Sequence, residues 1–480
     1  MPVSRCLTRS ACAHADAVRR IRDDIGDDTQ WLAALGAALL LERASFSANK
    51  KVSSKKNASS QTETTIRTRY ARLSGYVATL PRREANVVAS WPEERRRFLA
   101  GTDVERALRC ERSAARREWE GYVKTRVREA LAARRETSEN KTSETREGNL
   151  ITSFPTFRDY LDARSVVSSR AFLVTDAEGP GLVPIADLFN HRTGGHHVAM
   201  RLLDGDGDGD ATLVAVVSSR VEKGAEVFNT YGALGNATLL NSYGFTQENN
   251  PEDTVSVSVP DLRAAAAMRG APGPVVAKRL AACFSSRRAP FQEHALFPLR
   301  KTRSPPNGGS PLEPPTALLV ALWAVTATDE AFASAEREIA GETAGLGGSG
   351  DPAEEAGRDA AAALWRAAAE RAEVSGTIFT AAASEVFLEI LDRRRRMYVD
   401  VPEDYREDDS IQRDAETGGW RASLRILVES ERAVVDAHAA ETKRRLAAFR
   451  GEFRADELDD AKRRKTAVVA EAEDPFALFD

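Results

Sequence analysis

Cysteine is scarce in this chain of 480 residues: Cys6, Cys12, Cys110 and Cys283 are scattered without the close pairing that clamps zinc. That usage predicts a reduced, intracellular protein. Charge of a single sign is also lacking. The 68 basic residues face 72 acidic ones, so no whole-chain attraction toward nucleic acid or a membrane surface is expected. Long apolar runs are absent as well. The longest, Trp31 to Leu41, is broken by Gly36 and falls far short of the roughly 20 residues of a membrane span. Met1 to Arg5 has no apolar signal core and reads as the middle of a domain. Length alone predicts two or three domains, because single cores stop growing near roughly 250 to 300 residues.

Patterning divides the chain by period. Ala, Leu and Arg recur at spacings of three and four from Asp16 to Leu41, which predicts helix. A polar stretch, Ser47 to Thr65, has the composition of a disordered insertion. Helix resumes over Tyr70 to Val77 and again from Ser90, where Ser90 and Glu93 stand at capping-box spacing. The charged run Glu93 to Arg135 offers Leu99, Val104, Leu108, Trp119, Val123 and Val127 as buried positions, and a second polar insertion, Glu136 to Glu147, follows. After Arg170 the period shortens. Phe172 to Val174, Val198 to Leu203, Leu213 to Val217 and Glu226 to Thr230 read as short strands of a compact sheet. Asp204 to Asp210 imitates a calcium loop, but its twelfth position is Ala215 where a bidentate Glu is needed, so a plain acidic turn is expected. From about Val259 the pattern is helical, over Thr316 to Thr326, Ala353 to Glu373, Ile378 to Met397 and Arg421 to Phe449. In the last, Leu424, Leu427, Val428, Val434, Val435 and Leu446 form an apolar stripe. Lys462 to Lys465 in the polar tail is a solvated charge cluster or a nuclear address.

Two segments carry the chemistry. The first is Ala186, Asp187, Leu188, Phe189, Asn190, His191; the second runs from Asn229, Thr230, Tyr231 to Tyr243, Gly244, Phe245. Taken singly, each has an ordinary structural reading: Asn190 and His191 as a satisfied turn, Tyr231-Gly232 as a strand end. Their joint order and spacing, with Arg170 in Ser169-Arg170-Ala171-Phe172 ahead of them, resemble the signature of SET-domain protein methyltransferases. The resemblance is to the class of the Rubisco large-subunit lysine methyltransferases. It covers most of the chain, with high specificity between Arg170 and Phe245. Between the segments, Asn236, Leu239 and Leu240 match the family helix only in part, since Gly235 and Thr238 replace its usual Ser and Glu.

The resemblance implies an α+β fold: a SET domain of small β-sheets with a pseudoknot-like crossing and a large helical insertion at about 16–165, over residues 1–258. An all-α substrate-binding domain would follow at 259–450, then a polar tail at 451–480. It further implies S-adenosyl-L-methionine as cofactor. Arg170, Asp187, Leu188, Phe189, Asn190, His191, Tyr243, Gly244 and Phe245 would bind it, Tyr231 would be catalytic, and Phe172, Ala186, Tyr231 and Tyr243 would line the substrate tunnel. No metal is called for; histidines at 191, 196 and 197 lack a carboxylate at ligand spacing. The acceptor would be a lysine of a protein substrate, because Phe172 and Ala186 suit an apolar tunnel better than a histidine site. That substrate would engage the SET cleft and the helical domain of a monomer in cytoplasm, nucleus or chloroplast, without nucleic acid or membrane. The family's opening Gly-x-Gly-leucine segment has no counterpart here. An incomplete sequence is the favoured explanation; the other is a catalytically silent SET remnant serving as a protein-binding module.

Overall fold

A computed structural model describes residues 6–8, 12, 14–25, 30–52, 73, 75–139, 154–175, 179–203, 211–284, 295–301, 312, 314–344, 380–403 and 419–450. The chain divides into two compact units: Met1–Asp253 with Tyr398–Ser430, and Thr254–Met397 with Glu431–Asp480.

The first unit opens with helices Ala15–Ile25 and Gln30–Val52. The stretch expected to be disordered therefore begins as helix through Val52, and 53–65 lie outside the described residues. Helix Gln30–Val52 packs along helix Phe157–Arg170. The latter starts with a capping box, in which Thr156 Oγ1 accepts the Asp159 N–H and Asp159 Oδ2 accepts the Thr156 N–H at 2.9 Å. The box expected at Ser90 and Glu93 is corrected by the structure. Ser90 ends a 3₁₀ turn, and the turn Glu93–Arg96 begins only after Pro92, with no side-chain cap. Pro92 holds Trp91 extended, so no helix can start at Ser90. The six apolar positions expected between Leu99 and Val127 are all buried. Trp119 stacks on Tyr160 at 5.5 Å, and the Tyr160 hydroxyl donates to Glu118, which also pairs with Arg164. This polar trio sits against an apolar cluster of this unit and satisfies the hydroxyl that Tyr160 brings into it.

Strand β1 (Ala171–Thr175) pairs antiparallel with β2 (Gly179–Leu182), with an irregularity between Leu173 and Thr175. The sequence Gly-Pro-Gly-Leu concealed β2, which is held from both sides: Leu7 and Leu182 exchange backbone bonds of 3.0 and 2.9 Å. Strands β3 (Asn190–His191) and β6 (Phe228–Asn229) run parallel, Asn190 opposite Phe228 and His191 opposite Asn229. Strands β4 (Val198–Leu203) and β5 (Thr212–Val217) form an antiparallel ribbon whose connection, the acidic turn, lies outside the described residues. Trp420 belongs to this unit, its ring 5.9 Å from Trp91 and 6.2 Å from Phe98.

The second unit contains helices Val259–Met268, Gly273–Phe284, Thr316–Thr326, Asp329–Ala344 and Ala381–Met397. The expected all-α character is corrected: β7 (Thr254–Ser258) pairs antiparallel with β8 (Leu296–Arg300). In Leu296–Arg300, Phe297 and Leu299 are buried and their neighbours exposed. That period of two marks a half-buried strand. The helix expected at Ala353 to Glu373 and the cluster Lys462 to Lys465 lie outside the described residues. No helix of the described residues is long and apolar enough to cross a membrane.

Candidate active site

The parallel pairing of β3 with β6 brings the two motif segments together within the first unit. His191 is buried, whereas its neighbour Asn190 is exposed and donates from Nδ2 to Glu226 Oε1 at 2.6 Å. Adjacent residues of a strand face opposite sides, so only one of the Asn-His pair can look inward. The His191 Nδ1 accepts the backbone N–H of Tyr231 at 2.9 Å, and Nε2 lies 2.8 Å from Thr193 Oγ1. A backbone N–H pointed at Nδ1 requires the neutral ring with its proton on Nε2. Burial, with His196 adding to it, holds the His191 pKa below the usual imidazole value.

Tyr231 is the centre of a half-buried aromatic cluster. Its ring stacks on His191 at 5.0 Å and on Tyr243 at 4.7 Å. Phe245 closes the group, 6.1 Å from His191 and 6.4 Å from Tyr243. The Tyr231 hydroxyl donates to the Phe189 carbonyl at 2.8 Å. Burial first, then Tyr243, pushes the Tyr231 phenol up to about 12. At neutral pH it is therefore a hydrogen-bond donor and not a base.

Tyr243 and Phe245 owe their position to a π-turn over Leu239–Tyr243 that ends on Gly244. Gly244 has φ +81°, and its N–H donates to the carbonyls of Leu239 and Leu240. Asn236, read from the sequence as part of a partial motif, is a structural hub: its amide donates to Asp253 Oδ2 and the Gln247 carbonyl and accepts the Gln247 N–H.

Arg170 faces two carboxylates. Its Nε donates to Glu84 Oε1 at 2.6 Å, and its Nη1 reaches both the carbonyl and Oδ2 of Asp187 at 3.4 Å. The Asp187 side chain is 2 % exposed; Tyr76 donates to its Oδ2 at 3.0 Å, and its Oδ1 is buried without a hydrogen-bond partner. Glu84 and Tyr76 were passed over in the sequence, where neither stands in a recognisable pattern. Leu188 is exposed, and the chain enters the turn Ala186–Leu188 through Ile185 at φ +73°. A β-branched residue in that region is strained.

Phe172 and Ala186 share a small cluster with Val174, Val183 and Leu213. The four residues expected to line a tunnel thus lie in two groups, Phe172 with Ala186 and Tyr231 with Tyr243. Asn229, on β6, opens the second motif segment but was given no role of its own there. It is 1 % exposed, and neither amide atom has a partner. Such a group is costly to bury unless something hydrogen-bonds to it. Among the described residues no group of three His, Cys, Asp or Glu could hold a metal ion.

No family model matches the chain. It is 36% identical over 115 residues to the ribosomal lysine N-methyltransferase set10 of Schizosaccharomyces pombe, a match over 22% of this chain and 20% of that protein. It is 36% identical over 89 residues to the N-lysine methyltransferase setd6 of Xenopus laevis, over 18% of each. The chain spans about a fifth of the length of these curated relatives. Among solved structures, the SET domain of LSMT bound to lysine and AdoHcy superposes with a TM-score of 0.50 at 17% identity, covering 92% of this chain and 80% of that one. The chain is therefore similar to SET-domain lysine methyltransferases and has the mixed α and β fold of the LSMT SET domain.

Proposed function

We propose that this SET-fold chain is an S-adenosyl-L-methionine-dependent protein-lysine N-methyltransferase. The observation that carries the reading is the assembly of His191, Tyr231, Tyr243 and Phe245 into one half-buried aromatic cluster where β3 pairs with β6. Aromatic faces attract cations, and both the sulfonium donor and a lysine side chain are cationic before reaction. The fold's likeness to a structure bound to lysine and AdoHcy supports the same reading.

The residues present fit such a cofactor. The buried Asn229 amide, with both donor and acceptor unpartnered, is the kind of group that a polar ligand would satisfy, and Asp187 Oδ1 is a second. The backbone of Asn190 and His191 would hold the adenosine, with Tyr243, Gly244 and Phe245 packed beside it. Arg170, committed to Glu84 and Asp187, would act by fixing the Asp187, Leu188 and Phe189 backbone. The cofactor when bound supplies an electrophilic methyl group.

The acceptor amine must arrive neutral. A free lysine has a pKa near 10.4, so its neutral form costs about 4–5 kcal/mol at pH 7. An apolar, aromatic surround recovers part of this by disfavouring the charged form. Phe172 and Ala186 would line the approach, which favours lysine over a bulkier acceptor. Tyr231 stays protonated, donates its O–H to the Phe189 carbonyl and so presents its oxygen to accept an N–H of the acceptor amine, leaving that amine's lone pair free to attack the methyl. A knot-like crossing of the two segments around β3 and β6, an intracellular setting in cytoplasm, nucleus or chloroplast, and a protein substrate engaged by a monomer belong to the same proposal.

The test is calorimetric titration of the chain with S-adenosylhomocysteine, beside transfer of tritiated methyl to an extract of ribosomal proteins. Tyr231→Phe should retain binding and lower transfer by at least about 100-fold, the scale of one lost transition-state hydrogen bond. No binding at millimolar ligand, with partner capture intact, would instead favour the silent binding module.

A further inference from the structure

Tyr243 is carried by the π-turn Leu239–Tyr243, and two residues before it Asn241 is 7 % exposed. The Asn241 Nδ2 donates to Glu111 Oε1 at 2.7 Å. Glu111 stands on the helix Asp103–Glu118, far away in sequence. The rest of the turn is held by Leu239 and Leu240, both fully buried. Apolar burial is non-directional and fixes depth better than rotation. The bond from Asn241 is directional, and among the described contacts it is the polar side-chain tie from this turn to the helix. Glu111 and Asn241 border a cavity that Arg112, Arg164, Ser165 and Ser242 also line. Asn241 Oδ1 is buried and unpartnered, so the grip is one-sided. Glu111 lies on the exposed side of its helix, so its bond to the buried Asn241 amide is the polar contact that ties the helix to the turn.

We propose that Glu111 is a positioning residue for Tyr243: by holding Asn241 it sets the rotation of the turn and hence the seating of the Tyr243 ring against Tyr231. The catalytic consequence rests on the reading of Tyr231 and Tyr243 as the acceptor site; the geometric one does not. Loss of Glu111 lets the turn rotate and widens the gap between two rings now 4.7 Å apart.

The experiment uses the full chain labelled with 3-fluorotyrosine. Its eight tyrosines give resolvable ¹⁹F resonances, and those of positions 231 and 243 are assigned by their loss in Tyr231→Phe and Tyr243→Phe. Glu111→Ala should move both resonances and leave that of Tyr76 in place. Glu111→Gln keeps a side-chain carbonyl for the Asn241 Nδ2 and should restore them. In methyl transfer, Glu111→Ala should lower kcat about tenfold with unchanged affinity for S-adenosylhomocysteine, while Glu111→Gln stays near wild type. Unmoved resonances in Glu111→Ala, or equal displacement in Glu111→Gln, would overturn the proposal. If Glu111→Ala does not fold, Asn241→Asp supplies the displaced state, and adding Glu111→Gln to it reverses donor and acceptor. That double variant must bring the resonances back, and its failure would also overturn the proposal. Resonances that respond as expected in a chain that transfers no methyl would support the positioning role and count only against the methyltransferase reading.

Discussion

Substituting Gly244 by alanine should be among the most damaging single-methyl changes in the first unit. Two costs add. The backbone at φ +81° is left-handed, which costs a residue with a Cβ about 1–2 kcal/mol. The added Cβ would also lie 2.6 Å from the Asn86 carbonyl carbon, 2.7 Å from the Asn86 Cβ and 2.8 Å from the Val87 nitrogen. Backbone cannot rotate out of the way as a side chain can, so overpacking should cost a further 1–3 kcal/mol or so. The expected loss is about 2–5 kcal/mol. Gly224 isolates the first term, because it has φ +86° and nothing within 4 Å of its would-be Cβ; Gly224→Ala should lose only about 1–2 kcal/mol. Urea unfolding followed by tryptophan fluorescence gives both losses from the midpoints, provided the slopes match. Equal losses in the two variants, to within about 0.5 kcal/mol, would refute the close approach of the 86–87 segment to the turn.

Asn236→Ala should destabilise by about 2–4 kcal/mol, because it removes three side-chain bonds at a buried site and leaves their partners less satisfied; a melting temperature within a degree of wild type would contradict the hub role. His191 predicts an acid dependence. Its folded pKa lies below the usual value near 6.5, so its contribution is fully present above about pH 6.5 and declines as pH falls toward the folded value, where the unfolded chain takes up a proton that the folded ring resists. Thermal unfolding between pH 8 and 5 should therefore show a shallower acid loss in His191→Phe than in wild type, and parallel curves would rule the mechanism out.

What could be read from residues alone was the part governed by local period. The helix Thr316–Thr326 stands where its apolar run predicted it, and the stripe from Leu424 to Leu446 is buried. What could not be read depended on partners remote in sequence. Strand β2 forms because Leu7 and β1 flank a Gly-Pro-Gly segment of poor strand propensity. Leu296–Arg300 alternates in burial but not in sequence, because Leu296 is apolar yet exposed and Pro298 interrupts the run. In the site, the motif residues were visible by order and spacing, and the stacking of Tyr231, Tyr243 and His191 brings them together. Glu84, Tyr76 and Glu111 left no trace, because a single charged or polar residue on a helix or turn looks like surface until its partner is known. The outward face of Asn190 had the opposite cause: alternation along β3 turns one member of the pair away.

The first unit is assembled from chain on both sides of Thr254–Met397, since Tyr398–Ser430 returns to it and brings Trp420 against Trp91 and Phe98. During synthesis this closing piece arrives long after Asp253 has left the ribosome. At roughly 5–20 residues per second, the delay is about 10–35 s. Through that interval the nascent chain carries an unfinished unit with two large aromatic side chains awaiting a third. A fragment ending near residue 253 inherits this condition permanently, so dissection at the linear boundary should yield an aggregation-prone product, and adding residues 398–430 as a separate peptide should be what rescues it.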